Sequence, residues 1–385
     1  MALGGIVCGA ARRDSGVSST GVRARCRFGV RRRAAVSWDE GDGAELMLPD
    51  HGTRGVAMEI AERCAQHRVR STGNDSVLIG HVVWEPVRSL WFSAMAVSAV
   101  VGGALWFSWA AFALFVGSTM LVLLLGHSVG MHRKLIHRSF ESPQWLEYLL
   151  VYCGVLVGLA GPLGLLRSHE LRDYAQRRPL CHDFLAHRSG LFRDAWWQLH
   201  GDLKLANPPD IRIEQAIADD RFYRFLQATW MAQQLPWALL LFAWGGWGFV
   251  FWGVCARVTA GVFGHWLIGY LAHNHGGVHV MVSGAAVQGR NIRLTSLLTM
   301  GECWHNNHHA WPGSAKLGLR AGEWDPGWWF LCALARVGLV WNLRLPEDQP
   351  YRAELVVLPP SARAPAAPAK PIRRCLQAFR PRTIR

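Results

Sequence analysis

The chain has 385 residues, 51% of them apolar, 18% charged and 20 of them Trp, with a formal net charge of +14; so low a charge density points to a membrane protein rather than a water-soluble enzyme. Nucleic acid is excluded as the partner, because the positive excess sits at the ends. Residues 1–36 carry eight Arg against one Asp, residues 361–385 carry seven Lys/Arg and no acid, and basic tails on a near-neutral middle suit a membrane surface.

Residues 1–80 are rich in Arg, Gly and Ser, lack sustained periodicity, and are expected to be disordered. From Ser89 to Gly126 there are 38 consecutive residues without a formal charge, too many for one span of about 20 and right for two short ones. Gly102-Gly103 marks the expected turn. Leu146–Leu166 is also apolar, but a span there would put His132 and His137 across the bilayer from His169, so an interfacial or re-entrant helix is expected. Residues 167–228 are polar, broken at Asn207-Pro208-Pro209, and read as a cytoplasmic helical insertion. Thr229 to Ala272 is the second apolar block, with its apex at Trp244-Gly245-Gly246-Trp247-Gly248. The apices carry no Lys or Arg while the flanks carry many, which places both termini and the histidine clusters in the cytoplasm. Asp325-Pro326 reads as the cap and first position of a short amphipathic helix. The expected architecture is an all-α integral membrane protein: four transmembrane helices in two hairpins with a cytoplasmic helical cap, spanning residues 85–345, followed by a disordered Pro/Ala/Arg-rich tail at 346–385.

Nine cysteines are scattered without a C-x-x-C pair, which argues against a disulfide framework or a zinc ribbon. The 17 histidines, by contrast, cluster. His127, His132 and His137 form one group, His169, His182 and His187 another, His265, His273, His275 and His279 a third, and His305, His308 and His309 the last. Each lies at or just beyond the cytoplasmic end of an expected span. On an α-helix the last three fall within an arc of about 100°, so their imidazoles can converge on one point. Neutral imidazole is the commonest metal ligand and suits iron, zinc, copper and nickel. Seven or more imidazoles exceed the four of a closed zinc site and suffice for two metals. A dinuclear site beside an apolar cavity points to oxygen chemistry on an apolar substrate, and iron, unlike zinc, can cycle its oxidation state.

The motifs His132-Arg-Lys-Leu-Ile-His137-Arg-Ser-Phe, His169, Trp266-Leu-Ile-Gly-Tyr-Leu-Ala-His273 and Gly-Glu-Cys-Trp-His305-Asn-Asn-His308-His309-Ala-Trp-Pro-Gly-Ser-Ala-Lys-Leu-Gly-Leu319 resemble the membrane fatty acid desaturases, specifically the acyl-CoA Δ9-desaturase-like bacterial branch. The resemblance implies two irons held by His132, His137, His169, His273, His305, His308 and His309. It implies reduction of O2 with two electrons from a separate donor, a ferredoxin or a cytochrome b5-like protein, and removal of two hydrogens from adjacent methylenes of an acyl chain presented as a CoA thioester or a lipid. It also implies a bacterial inner membrane. A hydroxylase of the same family, or a catalytically silent relative that binds lipid, would carry the same motifs.

Two positions depart from the family. Its second box, HxxHH, reads His169-Glu170-Leu171-Arg172-Asp173 here, and Gly269 stands where an Asn is usual. Asp173 can still bind a metal, whereas Arg172 has no lone pair to give. His127, His182, His187, His275 and His279 are candidate substitutes, with His127 first because it precedes His132 by the same five residues that separate His132 from His137. Glu302 is placed to orient an imidazole.

Overall fold

In the computed structural model the described residues are 68–359, so the two basic tails fall almost wholly outside them. Their expected inner edges move, however. Val69–Arg70 (β1) is a strand within the region expected to be disordered, Ser76–Trp84 (β2) is a strand that begins inside it, and Leu355–Val357 (β6) is a strand within the expected C-terminal tail. The fold is mostly helical rather than all-α, since three two-stranded antiparallel sheets accompany the helices. β2 pairs with β3 (Gly201–Asn207), β1 with β4 (Asp210–Ile211), and β6 with β5 (Val280–Val282). Each pair joins segments far apart in sequence, which is why no local pattern announces it.

Three helices among the described residues are long and apolar enough to cross a membrane: Pro86–Leu105 (α1), Trp109–Ile136 (α2) and Gln234–Asn274. α1 opens with Pro86 at its first turn, where a missing N–H costs nothing, and with the Glu85 carboxylate accepting from Arg88 N. The turn between α1 and α2 lies at residues 106–108, with Ser108 capping α2, and not at Gly102-Gly103. Those glycines stay helical because they are packing positions, buried against Phe251 and Trp252.

From Val122 onward α2 widens into i→i+5 hydrogen bonding, so His137 N donates to His132 O at 3.0 Å. Gly126 and Gly130 let the wide turn touch the backbone of the next helix, α3 (Gln144–Val155), at Cys153 and Leu150; a Cβ at either would collide with main chain. α3 has 12 residues, about 18 Å long, too short to cross a hydrocarbon core of about 30 Å. The chain then turns through residues 156–161 into α4 (Pro162–Arg177), which carries His169, Arg172, Asp173 and Gln176. The apolar stretch 146–166 is thus two short pieces, in keeping with the interfacial reading. Arg257 pins its turn, donating to Leu156 O, to Gly253 O at 2.8 Å and to Gln234 Oε1 at 2.6 Å.

The polar insertion folds as α5 (Asp183–Ala186), α6 (Leu191–His200), β3, β4, α7 (Gln215–Ala218) and α8 (Arg221–Thr229). The long apolar helix that follows, Gln234–Asn274 (α9), leaves helical geometry at Gly245 (φ −145°, ψ 18°) and Gly246 (φ 65°, ψ −158°). A positive φ at Gly246 suits the one residue without a Cβ. Beyond the break the chain comes back alongside itself, for Gly253 faces Leu241 and Trp247 packs on Phe242 at 4.8 Å. The remaining helices are His305–Ala310 (α10) and Pro326–Arg336 (α11), the latter capped by Asp325 accepting from Trp328 N as its sequence led one to expect.

Arg68 ties the cap together. It donates to Ile136 O at 2.7 Å at the end of α2 and pairs with Glu170 on α4 at 2.7 Å and with Glu214 at 2.9 Å. A residue from the expected N-terminal tail thereby fixes the helix end bearing His132 and His137 against the helix bearing His169.

Candidate metal centre

Seven imidazoles from four helices converge in two groups that could each hold a metal: His132, His137, His169 and His308, and His273, His305 and His309, with the ligand atoms of each group within 4.8 Å of one another. In the first, ring centroids are separated by 4.6 Å (His132–His308), 4.7 Å (His132–His137) and 4.9 Å (His137–His169). The wide turn of α2 makes this possible. Residues five apart on an α-helix point about 140° away from each other, but i→i+5 bonding brings His132 and His137 nearly over one another. The groups adjoin, with His305 and His308 rings 5.5 Å apart.

Local anchoring explains the short helix α10. Asn306 accepts from His279 N and Val280 N at 2.8 and 3.0 Å and donates to Val280 O and Gly289 O. Asn307 donates to Leu317 O at 2.8 Å and to Glu323 at 2.7 Å. The two asparagines fix one side of the turn so that the three histidines share the other.

The donor chemistry fits metal ions. Among the described residues His137 Nε2, His169 Nδ1 and both ring nitrogens of His308 are buried without a hydrogen-bond partner, an arrangement that native proteins avoid unless something else binds there. Burial holds His169 and His305 at about 4 and His137, His308 and His309 well below the usual histidine value, so at neutral pH the rings carry lone pairs rather than charge. In the second group His305 Nε2 is 3.1 Å from both His273 Nε2 and His309 Nε2. A single N–H can satisfy only one of those two contacts.

Glu302 lies against the His132 ring. Its Oε2 lies 2.6 Å from His132 Nδ1, while Oε1 accepts from Ser128 Oγ at 2.6 Å. Burial raises this carboxyl, yet His132, Arg133 and His127 outweigh it and hold Glu302 at about 2. It remains an anion that fixes the His132 ring. Asp173 belongs to neither group; its oxygens are 3.8 Å from His169 Nδ1, 3.3 Å from Arg177 and 4.0 Å from His308 Nε2. Burial raises it too, and His169, Arg177, His309 and His305 bring it to about 2.

None of the five candidate substitutes belongs to either group, although His127 Nδ1 is also buried without a hydrogen-bond partner among the described residues. His182 Nδ1 caps α5 by accepting from Phe184 N at 3.1 Å. His275 is the exposed C-cap of α9. The backbone of His279 is bound by Asn306. His127 lies in the wall of a cavity of about 250 Å³ that runs past Leu123, Val157, Gly264, His265, Ile268 and Leu271 to Glu302, with its ring 5.0 Å from that of His265. His187 Nε2 is 2.6 Å from Arg172 Nη1, and its Nδ1 is 2.9 Å from Asp194 Oδ2. Its ring stacks on His273 at 5.2 Å. A Cβ on Gly269 would lie 3.4 Å from His187 Nε2, so a side chain there would be built directly against that ring. The two departures from the family pattern are therefore one local arrangement, with Arg172 holding His187 in the space beside Gly269.

The sequence model for fatty acid desaturases matches residues 106–321 of this chain. The chain belongs to the fatty acid desaturase family. It is an oxidoreductase and, given its three apolar helices, a membrane protein. The chain is 34% identical over 248 residues to an sn-1 stearoyl-lipid 9-desaturase of Anabaena variabilis, covering 63% of this chain and 87% of that one. It is 35% identical over 252 residues to the sn-1 stearoyl-lipid 9-desaturase of a Synechocystis species, covering 63% and 74%, and 29% identical to the acyl-CoA 5-desaturase AL21 of Anemone leveillei, covering 63% and 74%. Sequence reasoning assigned no role to Gln176, Arg68, Asn306 or Asn307. The asparagines stand inside the quoted motif, but nothing local signals Gln176 or Arg68.

Proposed function

We propose that this desaturase introduces a double bond into a saturated acyl chain, drawing on two irons. His132, His137, His169 and His308 would hold one, and His273, His305 and His309 the other, with Asp173 beside the first. When bound, the irons would supply O2 reduction and hydrogen abstraction. In that reaction the acyl chain loses two hydrogens from adjacent methylenes; O2 accepts their two electrons and two protons, two further electrons from a separate ferredoxin or cytochrome b5-like protein, and two protons from water. Two waters leave. The observation that carries this reading is the convergence of unprotonated imidazole nitrogens in two adjoining groups, joined through Glu302 beside His132 to the wall of an apolar cavity.

The protein's own part is orientation and exclusion. Glu302 fixes the His132 ring and closes the inner end of the cavity, whose apolar walls would hold an extended chain and keep water from the reacting methylenes. The break at Gly245-Gly246 divides α9 into two spans, giving four in two hairpins, with the metal centre on the positively flanked cytoplasmic side of a bacterial inner membrane. The likeness to the sn-1 stearoyl-lipid 9-desaturases of Anabaena variabilis and Synechocystis favours a lipid-linked acyl chain, with the Δ9 position, over a CoA thioester.

Mass spectrometry of membrane lipids from a desaturase-deficient host expressing the chain tests this reading. The expected product is a Δ9-monounsaturated chain in intact glycerolipid. A hydroxylated chain would instead indicate the hydroxylase chemistry, and an unchanged profile would count against the reaction.

A further inference from the structure

The second group has three imidazoles against four in the first, and the helix that should complete it, α4, offers Arg172 and Asp173 in place of two histidines. One turn further along α4, Gln176 is 1% exposed. Its amide orientation is fixed, because Nε2 donates to Leu185 O at 2.7 Å. That turns Oε1 toward His273 Nε2 at 3.2 Å. His273 is fixed as well: its Nδ1 faces Gly269 O at 2.6 Å, and a carbonyl only accepts, so the ring proton is on Nδ1 and Nε2 presents a lone pair. Two acceptors thus face each other at hydrogen-bond distance with no proton between them, in a buried place where such a pair repels. A cation between them turns repulsion into ligation.

We infer that Gln176 supplies its amide oxygen as the fourth protein donor of the second metal site, so that the two sites are chemically unequal: four imidazoles in one, three imidazoles and a carbonyl-type oxygen in the other. The inference rests on the two-metal reading above. Arg172 excludes the obvious rival, for its guanidinium occupies the lone pair of His187, while its other nitrogen bonds Gln198 Oε1 at 2.8 Å. An amide oxygen is a weaker donor to iron than imidazole, so the second site fills after the first.

Purified full-length protein in detergent, stripped and reloaded anaerobically with ferrous iron, gives the test by elemental analysis and Mössbauer spectroscopy. The wild type should take up two irons per chain in two resolved steps, with two inequivalent ferrous signals. Gln176→Leu should keep the first step and weaken the second by roughly tenfold or more; loading like the wild type overturns the inference while leaving the two-metal reading intact. Gln176→Glu should keep both steps, the second at an equal or lower iron concentration, and decides the matter if the leucine variant does not fold. A higher midpoint for Gln176→Glu overturns the inference. A wild type that holds no more than one iron overturns the two-metal reading and the inference together.

Discussion

Arg172 Nη1 stands 2.6 Å from Nε2 of His187, a ring whose other nitrogen faces the buried Asp194 at 2.9 Å. An arginine that replaces an expected ligand is here the donor that takes a second histidine out of the ligand set. His187→Ala should therefore leave the iron content unchanged. It should lower stability by about 2 kcal/mol, because Arg172 and Asp194 lose their shared partner. Elemental analysis and thermal unfolding of the same preparation check both halves; a lost iron would make His187 a ligand after all.

Gly269 and His187 compete for one space. Gly269→Asn should destabilise the protein, since a Cβ there would touch His187 Nε2 at 3.4 Å and the amide adds further bulk beside that ring. Adding His187→Ala should recover part of the loss. A double-mutant cycle of thermal stabilities should give a favourable coupling on the order of 1 kcal/mol, and additive effects would place the Asn side chain elsewhere.

His308→Ala should abolish unsaturated product and remove one iron while leaving membrane insertion unchanged. His308 sits on α10, which is not one of the three apolar helices, and its two ring nitrogens have no hydrogen-bond partner among the described residues. Lipid profiling of a complemented host, with membrane fractionation as control, measures this.

Gly264 lines the cavity, and a Cβ there meets nothing within 4 Å. Gly264→Leu should fold normally but narrow the space for the acyl chain. Turnover of the natural chain length should fall roughly tenfold or more, with relative preference moving to shorter chains. An unaltered chain-length profile would place the substrate in another channel.

The metal-free protein should lose stability in acid. His169 and His305 are held at about 4 in the folded state by burial, against about 6.5 when unfolded. Between those values the unfolded chain binds protons that the folded chain does not. Their contribution is thus complete above about pH 6.5 and falls away as pH drops toward 4. Thermal unfolding of the stripped protein across that window, in fixed detergent, should show a falling midpoint. Bound iron should offset the fall at the upper end of the range.

By itself the sequence determined the two apolar blocks, the break at Gly245-Gly246, the Asp325 cap and the seven histidines. These signals are local: an uncharged run, a glycine pair, a cap residue before Pro, imidazoles at fixed spacing. Only the tertiary structure decided how the donors are shared. His132 and His137 come together because α2 widens, which their spacing does not reveal. Arg68 ties the helix bearing His169 into the cap through pairings with Glu170 and Glu214 more than a hundred residues away. The replaced second box reads as a loss in one dimension. Folded, Arg172 holds His187 beside Gly269, and Gln176 turns its oxygen to His273, because buried polar atoms settle into whichever partners the packing of distant segments supplies.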